Sequence, residues 1–331
     1  MHIMLTNYKK LELSTQILIE EALKRDVEVE ILDHDDNFIR LKKGSKIEYI
    51  KQATKTSVDT YIVALIMENK EITKLILKEH RINVPSSITI SSIDEALNKY
   101  PDFIDKDIVI KPKSTNFGEG VSILKNLKSE KNYTMAVKEA LSYDKHILIE
   151  EFIQGKEYRF LVIGDEVEAV MHRVPANVQG DGVHTIEELV DEKNKDPRRG
   201  KGHITPLEKI SIGSIEENNL ASQMKDASYV PQDGEIIYLR ENSNISTGGD
   251  SIDFTDDIHE GYKKIAVDAT KAVNAMICGV DIIIQDVKAE PDKNNHSIIE
   301  LNFNPVLYPH NFPYKGQNRH VERKVLDLLG F

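Results

Sequence analysis

At 331 residues the chain is long enough to bury a sizeable core in about two or three domains, and its 40% hydrophobic and 30% charged residues place it with globular proteins rather than disordered ones. A formal charge of -12 repels polyphosphate backbones and sets nucleic acid aside as a partner. The single cysteine, Cys278, rules out an intrachain disulfide, fits a reducing cytoplasmic setting, and sits among Met276, Ile277 and Val280 as a buried structural thiol would.

No apolar run is long enough to span a bilayer, 61–67 being among the longest, and residues 1–7 lack the layout of a secretory leader. The sequence has no internal repeat and no low-complexity tract. Residues 11–25 carry Leu13, Ile17, Leu18 and Ala22 at helical spacing, and 27–32 alternate as a strand. Ile72, Leu75, Ile76 and Glu79 predict one helix over 60–80, ended by Asn83-Val84-Pro85. A short helix at 94–100 precedes a strand at 107–112, which Pro112 stops because it has no N–H for the ladder. A glycine-bearing loop at 113–120 then leads to a strand at 121–125, a helix at 133–142 and a strand at 146–152.

The two-residue turn Gly164-Asp165 joins strands at 158–163 and 166–174. The boundary between two α+β lobes falls at 152–156. Farther on, Tyr262, Ile265, Ala266, Ala269, Val273 and Met276 form one apolar stripe. It predicts a helix over 260–278, capped by Thr255-Asp256-Asp257 and ended by Gly279. Strands at 280–285 and 297–303 follow.

The last two strands carry the sharpest chemistry. Period-two alternation puts Glu300 and Asn302 on one face and Leu301 and Phe303 on the other. Asp281 heads the apolar run Ile282-Ile283-Ile284, where a carboxylate is costly unless paired, hydrogen-bonded or bound to a metal. Hard oxygen donors with room for water and phosphate suit Mg²⁺, whereas a solvated strand face would carry the same Glu300 and Asn302. Lys111, ending a strand beside the glycines of 113–120, offers charge and close backbone approach to a phosphate; a plain hairpin turn would read the same. The strand at 147–153 runs into the lobe boundary, where nucleotides commonly lie, and Glu157 beyond it is placed to accept bonds from a ribose. Lys193, Lys195, Arg198, Arg199, Lys201 and His203 form a basic cluster, either a place for a small anion or a solvated loop around Pro197.

Taken in order, these features resemble the ATP-grasp superfamily of carboxylate-amine ligases over residues 65–331. The resemblance implies an α+β ATP-grasp fold: two lobes clasping ATP, at 66–152 with a phosphate flap and at 153–331 with a magnesium site, preceded by a truncated pre-ATP-grasp segment at 1–65. By the same resemblance Lys70 and Lys111 hold ATP phosphates, and the flap over them contains Asn116, Gly118 and Gly120. Glu150, Glu151 and Ile153 match the adenine-binding connection, Glu157 the ribose ligand, and Arg173 the nucleotide-binding set. Asp281, Glu300 and Asn302 match the set for magnesium, with manganese as an alternative.

A closer resemblance, nearly full-length, is to the C-terminal half of the bifunctional glutamate-cysteine ligase/glutathione synthetase family. Gln52-Ala53-Thr54-Lys55-Thr56-Ser57, His172-Arg173-Val174-Pro175-Ala176-Asn177 and Glu300-Leu301-Asn302-Phe303-Asn304-Pro305 carry it. It implies an ATP-dependent ligase with a dipeptide and an amino acid as substrates, the upstream glutamate-cysteine ligase half being either a separate partner or the rest of a protein from which this chain is an excised domain. Arg173-Val174-Pro175-Ala176 and Asn244-Ile245-Ser246-Thr247-Gly248-Gly249 also resemble cyanophycin synthetase, so another dipeptide or a peptide tail stays open as substrate. A non-catalytic ATP-binding subunit is the remaining alternative. Arg240, ahead of that loop, is either the residue that stabilises an anionic tetrahedral intermediate or a plain surface arginine.

Overall fold

The computed structural model describes residues 8, 10–114, 120–202 and 205–331. Helix α1 (Leu13–Lys24) is followed by a three-stranded antiparallel meander, β1 (Glu28–Asp33), β2 (Phe38–Lys43) and β3 (Lys46–Lys51). Next come α2 (Tyr61–Glu68), α3 (Lys70–Glu79), β4 (Ser87–Ile90), α4 (Ile93–Lys99), β5 (Ile108–Pro112), β6 (Ser122–Leu124), α5 (Glu130–Tyr143) and β7 (Ile147–Glu151). The hairpin β8 (Lys156–Ile163) and β9 (Glu166–Val174) turns at Gly164, whose φ of +64° is the left-handed conformation that a glycine adopts at low cost. An excursion of short elements follows: β10 (Asn177–Gln179), α6 (Ile186–Lys193), β11 (Arg199–Gly200), β12 (Leu207–Glu208), α7 (Ser214–Ser222) and β13 (Ile236–Tyr238). The chain ends with β14 (Asp250–Asp253), α8 (Glu260–Ala272), β15 (Ile277–Ile284), β16 (His296–Asn302), α9 (Tyr308–Asn311) and α10 (Val321–Leu328).

Two antiparallel sheets organise the site. The smaller has the order β4-β7-β5-β6 and the larger β14-β9-β8-β15-β16, and the chain crosses between them at residues 152–155. The larger sheet is buried on both faces. On one, Tyr158, Phe160, Val280 and Ile282 pack with Tyr262, Ala266 and Ala269 of α8 and with Val63, Met67 and Leu77 of α2 and α3. On the other, Leu161, Ile163, Ala169 and Ile277 pack with Leu18, Ile39 and Leu41 of the N-terminal segment and Val325 of α10. A strand covered on both sides reads as a continuous apolar run, which is what Val280 and residues 282–284 show. Ile108, Ile110, Ile147 and Ile149 of the smaller sheet bury separately against Tyr133 and Val137 of α5.

Three local expectations change. The helix over 60–80 is two helices, because Asn69 leaves the helical conformation and its side chain accepts from the N–H groups of Glu71 and Ile72, capping α3. The helix over 260–278 stops at Ala272, with Asn274 left-handed at φ +57°, and residues 277–279 belong to β15; a short apolar run does not distinguish a buried strand from a helix. The cap of α8 is His259, whose Nδ1 accepts from the Gly261 N–H at 3.1 Å, while Thr255 Oγ1 accepts from the Val170 N–H at 2.9 Å. Cys278 is buried as expected, 3.7 Å from the Met67 sulfur, and burial pushes its thiol up to about 12. Among the described residues no helix is long and apolar enough to cross a membrane.

Candidate active site

Because Tyr158, Phe160, Val280 and Ile282 point into one core, the residues between them point to the opposite face. Glu157 and Arg159 on β8, Arg173 on β9, Asp281 on β15, and Glu300 and Asn302 on β16 share that face, in adjacent registers: Arg159 opposite Asp281, and Asp281 opposite Glu300. Asp281 is buried, and the cost is met by charge. Arg159 grips both carboxylate oxygens, its Nη2 at 2.7 Å from Oδ2, and Arg173 Nη1 approaches the same oxygen at 3.3 Å. Burial opposes the Arg159 charge, and Asp281 more than offsets it, so its pKa is raised. Arg173 also pairs with Glu157 at 2.8 Å and donates to Asn244, while Ser243 donates to Glu157, so the loop after β13 is tied to the face. Burial holds the Glu157 carboxyl above its usual range.

The cleft side of the smaller sheet carries Lys111 and Glu150, set diagonally on β5 and β7. Lys111 Nζ lies 2.7 Å from Glu150 Oε2, and Lys74 of α3 bonds the other oxygen. Lys111 and Lys74 pull the Glu150 pKa down against burial. One turn before Lys74, Lys70 reaches across to Glu300 at 3.7 Å, its pKa lowered by burial with Glu300 opposing. Helix α3 therefore contacts both sheets, and Glu71 fixes it further through Lys113 and Thr89. Among the described residues the network joins five cations, Lys70, Lys74, Lys111, Arg159 and Arg173, and four carboxylates, Glu150, Glu157, Asp281 and Glu300. The excess positive charge suits a polyanionic ligand.

His310 of α9 is buried near this face, and burial, then Arg159, push its pKa down to about 3. Below pH 6.5 the unfolded chain takes up a proton that the folded ring refuses, so the neutral ring contributes fully above 6.5 and less as pH falls toward 3. Stability should decline there by about 1.4 kcal/mol per pH unit from this group. Urea unfolding between about pH 7 and about pH 5 should show a shallower decline in His310→Gln; equal slopes would remove His310 as a source of acid sensitivity.

Comparison with known proteins adds the deciding observation. Residues 68–178 match the phosphoribosylglycinamide synthetase ATP-grasp (A) domain family, and residues 9–62 match an ATP-grasp-like domain family. The chain is 59% identical over 325 residues to the glutathione biosynthesis bifunctional protein of Clostridium perfringens, covering 98% of this chain and 42% of the relative. It is 52% identical over 319 residues to the protein of the same name from Listeria monocytogenes, covering 96% of this chain and 41% of the relative. Among solved structures, a bifunctional glutathione synthetase from Pasteurella multocida matches with a TM-score of 0.78 and 45% identity, covering 99% of this chain and 45% of that one. This chain has the ATP-grasp fold. It spans about two fifths of the length of the curated relatives it matches.

Within this ATP-grasp fold the residues singled out from sequence differ in their surroundings. Lys70, Lys111, Glu150, Glu157, Arg173, Asp281, Glu300 and Asn302 are joined by the ion pairs and cross-strand contacts above. The Glu150 side chain is turned inward onto two lysines. Glu151 is exposed with Ser86 Oγ at 3.3 Å, and Ile153 is half-buried in the crossing segment. Gly120, at φ +69°, closes the loop where a Cβ would meet Pro112 and Tyr143 at under 3 Å, whereas Asn116 and Gly118 lie outside the described residues. Arg240 stands apart from the ion-pair network, its Nε donating to the buried Glu216 of α7. The basic cluster is largely paired, Lys193 and Arg199 with Asp250, Arg198 with Asp196 and Lys195 with Glu192; His203 lies outside the described residues.

Sequence reasoning missed Arg159 and Lys74. Each had a signal: Arg159 lies two residues from Glu157 on a strand, and Lys74 four from Lys70 on a helix. Donor chemistry decides whether the face fits Mg²⁺. Two carboxylates and an amide oxygen, all hard donors, stand on neighbouring positions of β15 and β16. Among the described residues no group of three or more His, Cys, Asp or Glu side chains is placed to hold a metal ion by itself. The set fits, for manganese as well.

Proposed function

We propose that this chain is an ADP-forming carboxylate-amine ligase, a glutathione synthetase that joins γ-glutamylcysteine to glycine. The observation that carries the reading is the facing pair of charged clusters: Lys111 with Glu150 on the small sheet and Arg159, Arg173, Asp281 and Glu300 on the large one, bridged by α3. Residues 1–65 serve as a pre-ATP-grasp segment, 66–152 as the small lobe and 153–331 as the large lobe. The compartment is the cytoplasm, and a glutamate-cysteine ligase activity supplies the dipeptide.

Lys70 and Lys111 hold the ATP phosphates. The backbone of segment 150–153 flanks the base, the loop with Asn116, Gly118 and Gly120 closes over the phosphates, and Glu157 meets the ribose. Asp281, Glu300 and Asn302 would hold Mg²⁺, which when bound neutralises phosphate charge and orients the terminal phosphoryl group. The dipeptide's glycyl-accepting carboxylate takes that group as the bond to ADP breaks, giving an acyl phosphate. The amine of glycine then adds to the acyl carbon, loses a proton, and phosphate departs. Arg159 and Arg173 face the developing negative charge, and Arg240, held by Glu216, is assigned to the anionic tetrahedral intermediate. Closure of the cleft excludes water from the acyl phosphate.

The test is product analysis with ATP, Mg²⁺, γ-glutamylcysteine and glycine. ADP, phosphate and glutathione should form in equal amounts, faster than with any other acceptor pair. ADP formed only with a different pair would remove the glutathione assignment, and AMP as product would remove the ligase class.

A further inference from the structure

We propose that Lys74 is a positioning residue: by sharing the charge of Glu150, it keeps Lys111 available to the phosphates of ATP. The inference rests on the reading above that Lys111 holds phosphate.

The three groups form one buried unit. Glu150 offers one oxygen to Lys111 at 2.7 Å and the other to Lys74. The side chains of Lys74 and Glu150 are 6% and 4% exposed, that of Lys111 16%. Water therefore reaches Lys111 more readily than the other two, and so would a phosphate. Lys74 lies on α3 next to two anchoring contacts, Lys70 with Glu300 on one lobe and Glu71 with Lys113 on the other, which hold its backbone beside Glu150.

A buried carboxylate keeps at least one cation close, because leaving it uncompensated costs several kcal/mol. If Lys111 were its only partner, binding of ATP would have to strip that cation from Glu150, and the phosphate would compete with a desolvated carboxylate. Lys74 removes the conflict. When Lys111 turns to phosphate, Glu150 remains paired, and the lysine is released at small cost. Burial lowers the Lys74 pKa, and Glu150 opposes that shift, so each needs the other to stay charged.

The experiment measures the affinity of a non-hydrolysable ATP analogue with Mg²⁺ by calorimetry, at a temperature where circular dichroism shows every variant folded. Lys74→Met should weaken binding about tenfold and raise KM for ATP with little change in kcat. Lys74→Arg, which keeps the charge, should bind within about threefold of the unmodified protein. Lys74→Met/Glu150→Gln should recover to within about threefold, because Lys111 then has no carboxylate to leave. If Lys74→Met alone does not fold, the double variant, with both buried charges removed, carries the same demand. Unchanged affinity in Lys74→Met, or a double variant that binds as weakly as the single one, would overturn the proposal. Lys111→Ala separates the two ideas: unchanged affinity there overturns the phosphate reading itself, while weakened affinity there with a silent Lys74→Met sinks only the role of Lys74.

Discussion

Glu300→Gln should lower turnover by about 10² to 10³-fold while leaving the fold in place, and Asp281→Asn should lower it as much and destabilise the protein as well. The two carboxylates are register partners, yet their surroundings differ. Glu300 is partly exposed, and Lys70, at 3.7 Å, is its cross-cleft partner, so an amide there removes a charge from the site at little structural cost. Asp281 is 1% exposed and compensates Arg159, whose side chain is nearly enclosed. Removing its charge takes the main counter-ion from a largely enclosed guanidinium, which is destabilising. Steady-state turnover with saturating Mg²⁺, read beside thermal unfolding, separates the effects. Near-normal turnover in Glu300→Gln would take Glu300 out of the metal set, and an unchanged melting temperature in Asp281→Asn would contradict the burial argument.

The same contrast shows what was legible in the sequence. Period two alone places Glu300 and Asn302 on one face, because β16 is regular where they stand. Asp281 is conspicuous as a carboxylate in an apolar run. That its neighbour is Arg159 is not legible, because the pairing joins strands 122 residues apart and depends on register, which local pattern does not specify. Helix ends fail for a different reason. Asn69 and Asn274 each redirect the backbone through one residue's side chain or left-handed conformation, while the apolar spacing on either side continues undisturbed. The β2 and β3 hairpin is missing from the sequence reading too, although Gly44, at φ +60°, marks its turn.

The split in α2 and α3 has a functional consequence that the continuous helix would not have had. Starting a new helix at Lys70 sets Lys70, Lys74 and Leu77 on successive turns of one side. Leu77 anchors in the core of the larger sheet, Lys74 meets Glu150 of the smaller one, and Lys70 meets Glu300. One short helix thereby sets the distance between the two charged clusters.

Lys111→Ala should weaken ATP binding by about 10 to 100-fold, the range for losing one charge-assisted hydrogen bond in a partly desolvated site, with little loss of stability. The small stability effect follows from Lys74, which remains on Glu150 and keeps that buried carboxylate compensated. Lys111 is the penultimate residue of β5, on the cleft side opposite Leu148, and Pro112 closes the strand. Its ammonium is thus delivered by a rigid strand to one place, and no flexible neighbour replaces it. Lys113, the nearest cation in sequence, is already committed to Glu71. Lys111→Arg should recover only part of the affinity, because a planar guanidinium in the space of a compact ammonium meets Glu150 and phosphate with different geometry. Calorimetry of ATP with Mg²⁺, alongside thermal unfolding, checks both halves. Wild-type affinity in Lys111→Ala would reduce this lysine to a counter-ion of Glu150, and a large drop in melting temperature would mean that Lys74 alone does not compensate the carboxylate.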